Sequence, residues 1–256
     1  MKFLLTNDDG IDAPGLEVLE RAVREWGDPV VVAPAVGKSG VGHQVTTDRP
    51  IPVEQRDARH YSVQAMPADC VRIGLTEIVP DASWVLAGVN RGANLGADVY
   101  TSGTVAAARE GALLGCRALA ISQYVAKGLE LDWEAVFRRA AVLLGRLLAS
   151  DLSQGEYWNA NMPHSAEDGE VDAVVCPLDT RPLGVAYRKE DGAFIYQAEY
   201  RKRPRQPGRD VDVCLGGRIS VTRLVLDIAG SAVNPDPSAL EEPATGLLAV
   251  GRGRTP

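Results

Sequence analysis

This sequence is poor in the residues that most often hold a metal or a cofactor. Its 256 residues include three histidines and four cysteines, and Cys70, Cys116, Cys176 and Cys214 are too widely spaced for a zinc-type pairing. Scattered thiols of this kind point to reduced, mostly buried cysteines in a cytoplasmic protein. No apolar run reaches the roughly 18 residues of a membrane span. The first residues, one Lys and a few apolar side chains before Asn and Asp, do not read as a secretory signal. Positive charge is also in deficit. A net charge of −7 and a pI near 5.1 argue against a nucleic-acid polymer as partner, because a phosphate backbone calls for a basic face. Aromatic residues are few, three Phe, four Trp and seven Tyr, so a residue that stacks on a base must come from a short roster.

What is present is an ordinary soluble composition, 45% hydrophobic and 24% charged, in a chain long enough for one large domain. Strand-like and helix-like patterns alternate through its first half. Strands are expected at Phe3 to Thr6, Pro29 to Ala33, Tyr61 to Ala65, Trp84 to Gly88 and Arg117 to Ser122. Helices are expected at Gly15 to Trp26, Pro67 to Ile78, Ser102 to Gly115 and Asp132 to Ala149, the third starting at a Ser cap. That order predicts an α/β fold, a Rossmann-like three-layer sandwich with a mostly parallel sheet.

Further strands are expected at Tyr157 to Pro163 and Val171 to Cys176. Val185 to Tyr200 alternates on either side of Asp191-Gly192, a strong hairpin signal. Such an arm has little core of its own and needs a surface to lean on. The basic stretch Arg201 to Asp210 reads as a solvated linker, Gly217 to Asp227 contains one more strand, and the Gly-, Pro- and Ala-rich remainder reads as a flexible tail. The division expected is a core over 1–180, an arm and C-terminal strand over 181–227, and a tail over 228–256.

The first strand runs directly into TNDDG, residues 6 to 10. Asn, Asp and Gly there suit a turn, and adjacent carboxylates also suit a hard cation. Position favours the cation. In an open parallel sheet, ligands sit beyond the carboxyl ends of the strands, near the point where strand order reverses. Three polar, Gly-rich loops converge on that edge: Asn7 to Gly10, Pro34 to Thr46 and Val89 to Thr104. Asp8, Asp9, Ser39 and Asn90 form an oxygen donor set suited to Mg²⁺ or Mn²⁺ rather than zinc. Ser102, Gly103 and Thr104 open a helix and could cradle phosphate. Asn94, Gly92 and Gly96 would let donors approach the same anion. A metal beside an anion cradle is the layout of phosphate-ester hydrolysis. Asp8 and Asp9 are then the catalytic candidates, with Asp8 either a nucleophile or a metal ligand that positions water.

Other polar residues have plainer readings. His43 reads as a loop histidine bonded to backbone, His60 and His164 as surface residues, Asp12 as a turn or cap residue, and Asp98 with Arg109 as a structural pair. Lys38 is either solvated or drawn to phosphate, and Tyr100 is the candidate for stacking on a base. A receiver-like switch that binds Mg²⁺ without turnover is the rival. It would need a phosphorylatable Asp ending a middle strand, where this chain has Gly88, Val89 and Asn90.

The segments TNDDGIDAPGL, VVAPAVGKSGVGH, MPADCVRIGL, AGVNRGANLGADVYTSGTVAAAREG, NANMP and GGRISVTRL resemble the survival protein E (SurE) family, over residues 1 to about 227. The resemblance implies a metal-dependent phosphatase of nucleoside 5′- and 3′-monophosphates, in some members also of short polyphosphate. It implies one divalent ion per subunit at Asp8, Asp9, Ser39 and Asn90, with phosphate near Asn94, Ser102, Gly103 and Thr104. It also implies a homodimer or homotetramer that exchanges the arm and the C-terminal segment, residues 181–227, between subunits. The chain departs from the family pattern at Ala35, where members usually carry Asp, and at Arg223, where they usually carry Pro.

Overall fold

A computed structural model describes residues 1–164, 172–182, 184–197 and 200–227. The chain begins with strand β1 (Lys2–Thr6), helix α1 (Pro14–Val23) and strand β2 (Asp28–Pro34), followed by strands β3 (Val53–Gln55) and β4 (His60–Val63). Helix α2 (Pro67–Ile73) continues into a π-helical turn at Gly74–Ile78, so the single helix expected there changes its winding partway. Next come β5 (Trp84–Arg91), α3 (Gly103–Leu113), β6 (Arg117–Gln123), α4 (Trp133–Leu147) and β7 (Glu156–Met162). The chain then forms β8 (Ala173–Val175), β9 (Tyr187–Glu190), β10 (Ala193–Tyr196), α5 (Asp210–Leu215) and β11 (Ile219–Val225).

Nine strands make one sheet in the order β3-β4-β2-β1-β5-β6-β7-β11-β8. Neighbours from β4 through β7 run parallel, while β3 pairs antiparallel with β4 and β11 antiparallel with β7. The expected α/β three-layer sandwich is therefore the observed architecture. Its layers follow from side-chain alternation along buried strands. Phe3 and Leu5 of β1 face the cluster built with Leu16 and Leu19 of α1 and Val136 and Leu143 of α4. Leu4, between them, faces the cluster of Val71 from α2 and Val105 and Ala108 from α3. Burying each such Leu or Phe contributes roughly 1.5–3 kcal/mol. No helix among the described residues is long and apolar enough to cross a membrane.

Strand order reverses between β1 and β5: from β1 the chain first builds outward through β2 and β4, then returns to the other side of β1. Asp8 and Asp9 leave the end of β1, and Asn90 is the penultimate residue of β5, so both strand ends flank this switch point.

Two expectations change in the second half. The strand at Ile219–Val225 belongs to the main sheet, paired to β7 and β8, because its buried Ile219 and Val221 complete the core. The segment read as a solvated linker contains a short 3₁₀ turn at Tyr200–Lys202 and leads into α5, anchored by long-range bonds described below. The hairpin is as expected, a separate two-stranded sheet with Asp191 and Gly192 both at positive φ, the geometry of a type I′ turn. The tail over 228–256 lies outside the described residues.

Candidate active site

Local turn chemistry and acid placement coexist at the end of β1. Asn7 closes the turn, its Nδ2 donating to the Gly10 carbonyl at 2.7 Å and its Oδ1 accepting from the Gly10 N–H at 3.2 Å. Asp8 is thereby directed inward, 5% exposed, and Asp9 sits half-buried beside it. Asp8 Oδ1 accepts from the Thr104 hydroxyl at 2.5 Å. Burial pushes the Asp8 carboxyl up to about 6. The Asp9 charge adds to this, while the Thr104 hydroxyl and backbone pull the other way.

Helix α3 starts against this carboxylate. A Cβ built on Gly103 would lie 2.8 Å from Asp8 Cβ and 2.9 Å from Asp8 Oδ2, so glycine is what lets the helix approach. Ser102 is the helix N-cap, its Oγ accepting from the Val105 N–H at 3.0 Å. The Thr104 hydroxyl, expected to face phosphate, thus donates to Asp8, whereas Ser102 Oγ only accepts and keeps its O–H to donate. The positive end of α3 draws the nearest anion, and that is Asp8.

The other expected donors lie on loops tied to the pair through backbone groups. Asp9 Oδ2 accepts from the Arg91 N–H at 3.0 Å. Asn90 Nδ2 donates to the Gly92 carbonyl at 2.7 Å, which fixes the orientation of its amide. The second loop is tied to the first by the Lys38 N–H, which donates to the Asp8 carbonyl at 2.6 Å, and Ser39 follows with an exposed side chain. Ala35 keeps its loop attached to the sheet through its N–H, bonded to the Val63 carbonyl at 2.8 Å. Among the described residues no three His, Cys, Asp or Glu side chains gather as a metal cluster. An ion here would be held by two carboxylates and neutral oxygens. That set fits Mg²⁺ or Mn²⁺, and a cation would balance the charge that burial and Asp9 make costly on Asp8.

Asn94 is 7% exposed, and its Nδ2 donates to Ser122 Oγ at 2.8 Å. Its backbone is clamped from β7: the N–H donates to Asn161 Oδ1 at 2.7 Å, and the carbonyl accepts from Asn159 and Asn161. Asn94 therefore shapes the loop, with its own donor turned toward the sheet. His43 bonds side chains rather than backbone. Its Nε2 lies 2.6 Å from Glu110 Oε2 and its Nδ1 3.3 Å from Arg109, while Arg72 holds the other Glu110 oxygen at 2.6 Å. Burial raises the Glu110 carboxyl, but His43 and Arg72 outweigh it and hold it below the usual range. Asp98 pairs with Arg203 at 2.7 Å and takes the Tyr200 hydroxyl at 2.7 Å, whereas Arg109 reaches Tyr157 and the Val99 carbonyl. The Asp98–Arg109 pairing expected from sequence is not formed.

This constellation can be set beside known proteins. The family model for survival protein SurE matches residues 3–183. The chain belongs to the SurE family. A Synechocystis relative is 47% identical over 225 residues, covering 88% of this chain and 99% of its own. The 5′-nucleotidase SurE of Brucella suis is 39% identical over 247 residues, covering 92% and 96%. Among solved structures, the SurE protein of Aquifex aeolicus matches with a TM-score of 0.84 at 31% identity, over 94% of this chain and 100% of that one.

Within this SurE chain, several residues that support the site escaped sequence reading. Asp210 is fully buried and accepts from the N–H groups of Gly96, Asp179 and Val211 at 2.7, 2.7 and 2.9 Å. Arg203 donates to Asp98 and to the Leu95 carbonyl. Both lie in the basic stretch Arg201 to Asp210 and pin the loop between β5 and α3 from more than 100 residues away. Asn159 and Asn161 stood in a recognisable motif, NANMP, but alternation alone assigns them no role.

Proposed function

We propose that this chain is a divalent-metal-dependent nucleotidase, hydrolysing nucleoside 5′- and 3′-monophosphates to nucleoside and phosphate, with short polyphosphate as a further substrate. The observation that carries the reading is the buried Asp8 carboxylate, beside Asp9 and against the N-terminus of α3, at the switch point of the sheet. The name 5′-nucleotidase borne by the Brucella relative points the same way.

Asp8, Asp9, Ser39 and Asn90 would hold one Mg²⁺ or Mn²⁺ ion, which supplies charge neutralisation on phosphate oxygens and activation of a nucleophile. Thr104 fixes Asp8 through Oδ1. Asp8 then serves either as the nucleophile toward phosphorus or as the ligand that places a water for in-line attack. The start of α3, with Ser102 as its cap, sets the positive helix end where phosphate charge is received. The Asn94 loop, braced by Asn159 and Asn161, is read as a second contributor to phosphate binding.

The hairpin is read as an oligomerisation arm, giving a homodimer or homotetramer. Tyr187, Phe194 and Tyr196 are 59%, 70% and 53% exposed, an unusual cost for large apolar side chains in a lone subunit. Four free cysteines fit a cytoplasmic setting.

The deciding experiment measures phosphate release from 5′- and 3′-monophosphates and tripolyphosphate by metal-stripped protein, with Mg²⁺, Mn²⁺ or no ion restored. Sedimentation of the same preparation reports its assembly. Release only with an ion and only from a particle larger than the monomer is expected. Equal release in chelator, or none with any ion, overturns the reading.

A further inference from the structure

The loop that carries Ser39 has little local structure to hold it in place. Irregular chain joins β2 to β3 over residues 35–52, and the tip includes Gly37, Gly40 and Gly42, the last two at positive φ. Glycines so closely spaced leave a backbone many conformations. Ser39 itself is exposed. Two backbone bonds reach the tip, from the Lys38 N–H to the Asp8 carbonyl at 2.6 Å and from the Gly42 N–H to the Thr101 carbonyl at 2.9 Å. A fixed Ser39 needs a stronger fastener.

His43 closes the loop onto α3. Its Nε2 lies 2.6 Å from Glu110 Oε2 and its Nδ1 3.3 Å from an Arg109 nitrogen. An arginine side chain only donates, so Nδ1 accepts and Nε2 carries the hydrogen given to Glu110. With both nitrogens committed to protein partners, the ring has none left for a substrate. Each partner is held in turn from its far side. Arg72 donates to the other Glu110 oxygen at 2.6 Å, and Arg109 donates to the Tyr157 hydroxyl and the Val99 carbonyl. The Glu110 side chain is 2% exposed and that of His43 22%, so a charge-assisted bond is shielded from water. Glu110 stands about two helical turns after Gly103, where the missing side chain admits Asp8. One helix therefore supports the Asp8 carboxylate at its start and the Ser39 loop along its length.

We propose that His43 is a positioning residue, which holds the Ser39 loop against α3 through Glu110 and Arg109 and so sets how tightly a divalent ion binds, without touching substrate. The inference rests on the metal-dependent nucleotidase reading, in which Ser39 is a ligand. Residues that orient a ligand from outside the coordination shell change metal affinity about 10- to 100-fold when removed.

The test compares His43→Ala and His43→Gln with the native protein. Glutamine can donate to Glu110 and accept from Arg109 as the neutral imidazole does, yet it cannot exchange a proton at neutral pH. Two readouts are independent of turnover: hydrogen exchange of the Lys38 and Gly42 N–H groups in metal-free protein, and Mn²⁺ binding followed by EPR. His43→Ala speeds both exchange rates about tenfold, the equivalent of one bond to a charged group. It also weakens Mn²⁺ binding about tenfold, while kcat on AMP at saturating Mn²⁺ stays near native. His43→Gln restores exchange, affinity and activity. Native exchange rates or native Mn²⁺ affinity in His43→Ala overturn the proposal. So does a collapse of kcat in His43→Gln with Mn²⁺ binding intact, which would make His43 an acid or base. Absence of turnover by the native protein with any ion would refute the nucleotidase reading instead, and exchange and Mn²⁺ binding would still decide the role of His43.

Discussion

Helix α3 offers a matched pair of substitutions that separates the site from the fold. Gly103→Ala and Gly111→Ala make the same chemical change in one helix, and both added methyls would meet a neighbour at under 3.0 Å. At Gly103 the neighbour is Asp8, at 2.8 Å from Cβ and 2.9 Å from Oδ2; at Gly111 it is Val85, at 2.9 Å. Overpacking costs about 1–3 kcal/mol, and replacing Gly by Ala in a helix returns up to about 1 kcal/mol. Each variant should thus lose up to about 3 kcal/mol, a Tm decrease of up to about 12 °C for a chain of this size. Their activities should diverge. Gly111→Ala strains only the core between α3 and β5 and keeps kcat/KM near the native value. Gly103→Ala displaces Asp8, the carboxylate proposed to act in catalysis, by several tenths of an ångström, and a misplacement of a catalytic group approaching 1 Å costs about 100-fold. Phosphate release from AMP and thermal unfolding, measured on both variants, give the comparison. Native kcat/KM in Gly103→Ala would refute the placement of Asp8 at the chemistry. Equal activity losses in the two variants would show that α3 acts only through stability.

Asp210→Ala leaves three buried N–H donors without their acceptor. At about 1–3 kcal/mol each the loss is at least about 3 kcal/mol, visible as a Tm decrease of about 6 °C or more. Asp210→Asn, which keeps one acceptor oxygen, should fall between, and a native Tm for the Ala variant would contradict the anchoring role. The partly buried cluster of His60, Asp57 and Glu20 sets a pH window. Partial burial lowers His60, but its bonds to Asp57 and Glu20 outweigh that and raise it, while Glu20 is held low by Arg24 and His60 against its own burial. The His60 contribution is complete below its unfolded value of about 6.5 and fades as pH rises through the raised folded value. That of Glu20 is present above its unfolded value of about 4.3 and is lost on acidification. The Tm deficit of His60→Gln should therefore be largest near pH 5.5 and shrink toward pH 9, and a deficit that does not vary with pH counts against the charged cluster.

The sequence alone determined the alternation of strands and helices, the acidic pair at the end of β1, the Ser102 cap and the Asp191-Gly192 hairpin turn. Each depends on neighbours within a turn or a strand, so periodicity and turn chemistry expose it. The tertiary structure decided which polar groups spend their hydrogen bonds on one another. Thr104 turns to Asp8 from 96 residues away, and Arg203 reaches Asp98 across 105. The basic stretch from Arg201 to Asp210 looks like solvated linker because its local composition is charged and Pro-bearing. Its partners, the Leu95 carbonyl, Asp98 and the Gly96 N–H, become neighbours only once β5 and β7 are packed in one sheet. Tyr100 lies in the phosphate loop by sequence yet faces solvent, whereas Tyr124 and Tyr200, far apart in the chain, meet face to face. A side chain's direction at a loop is set by whichever distant donor or ring can desolvate with it, and no local pattern carries that information.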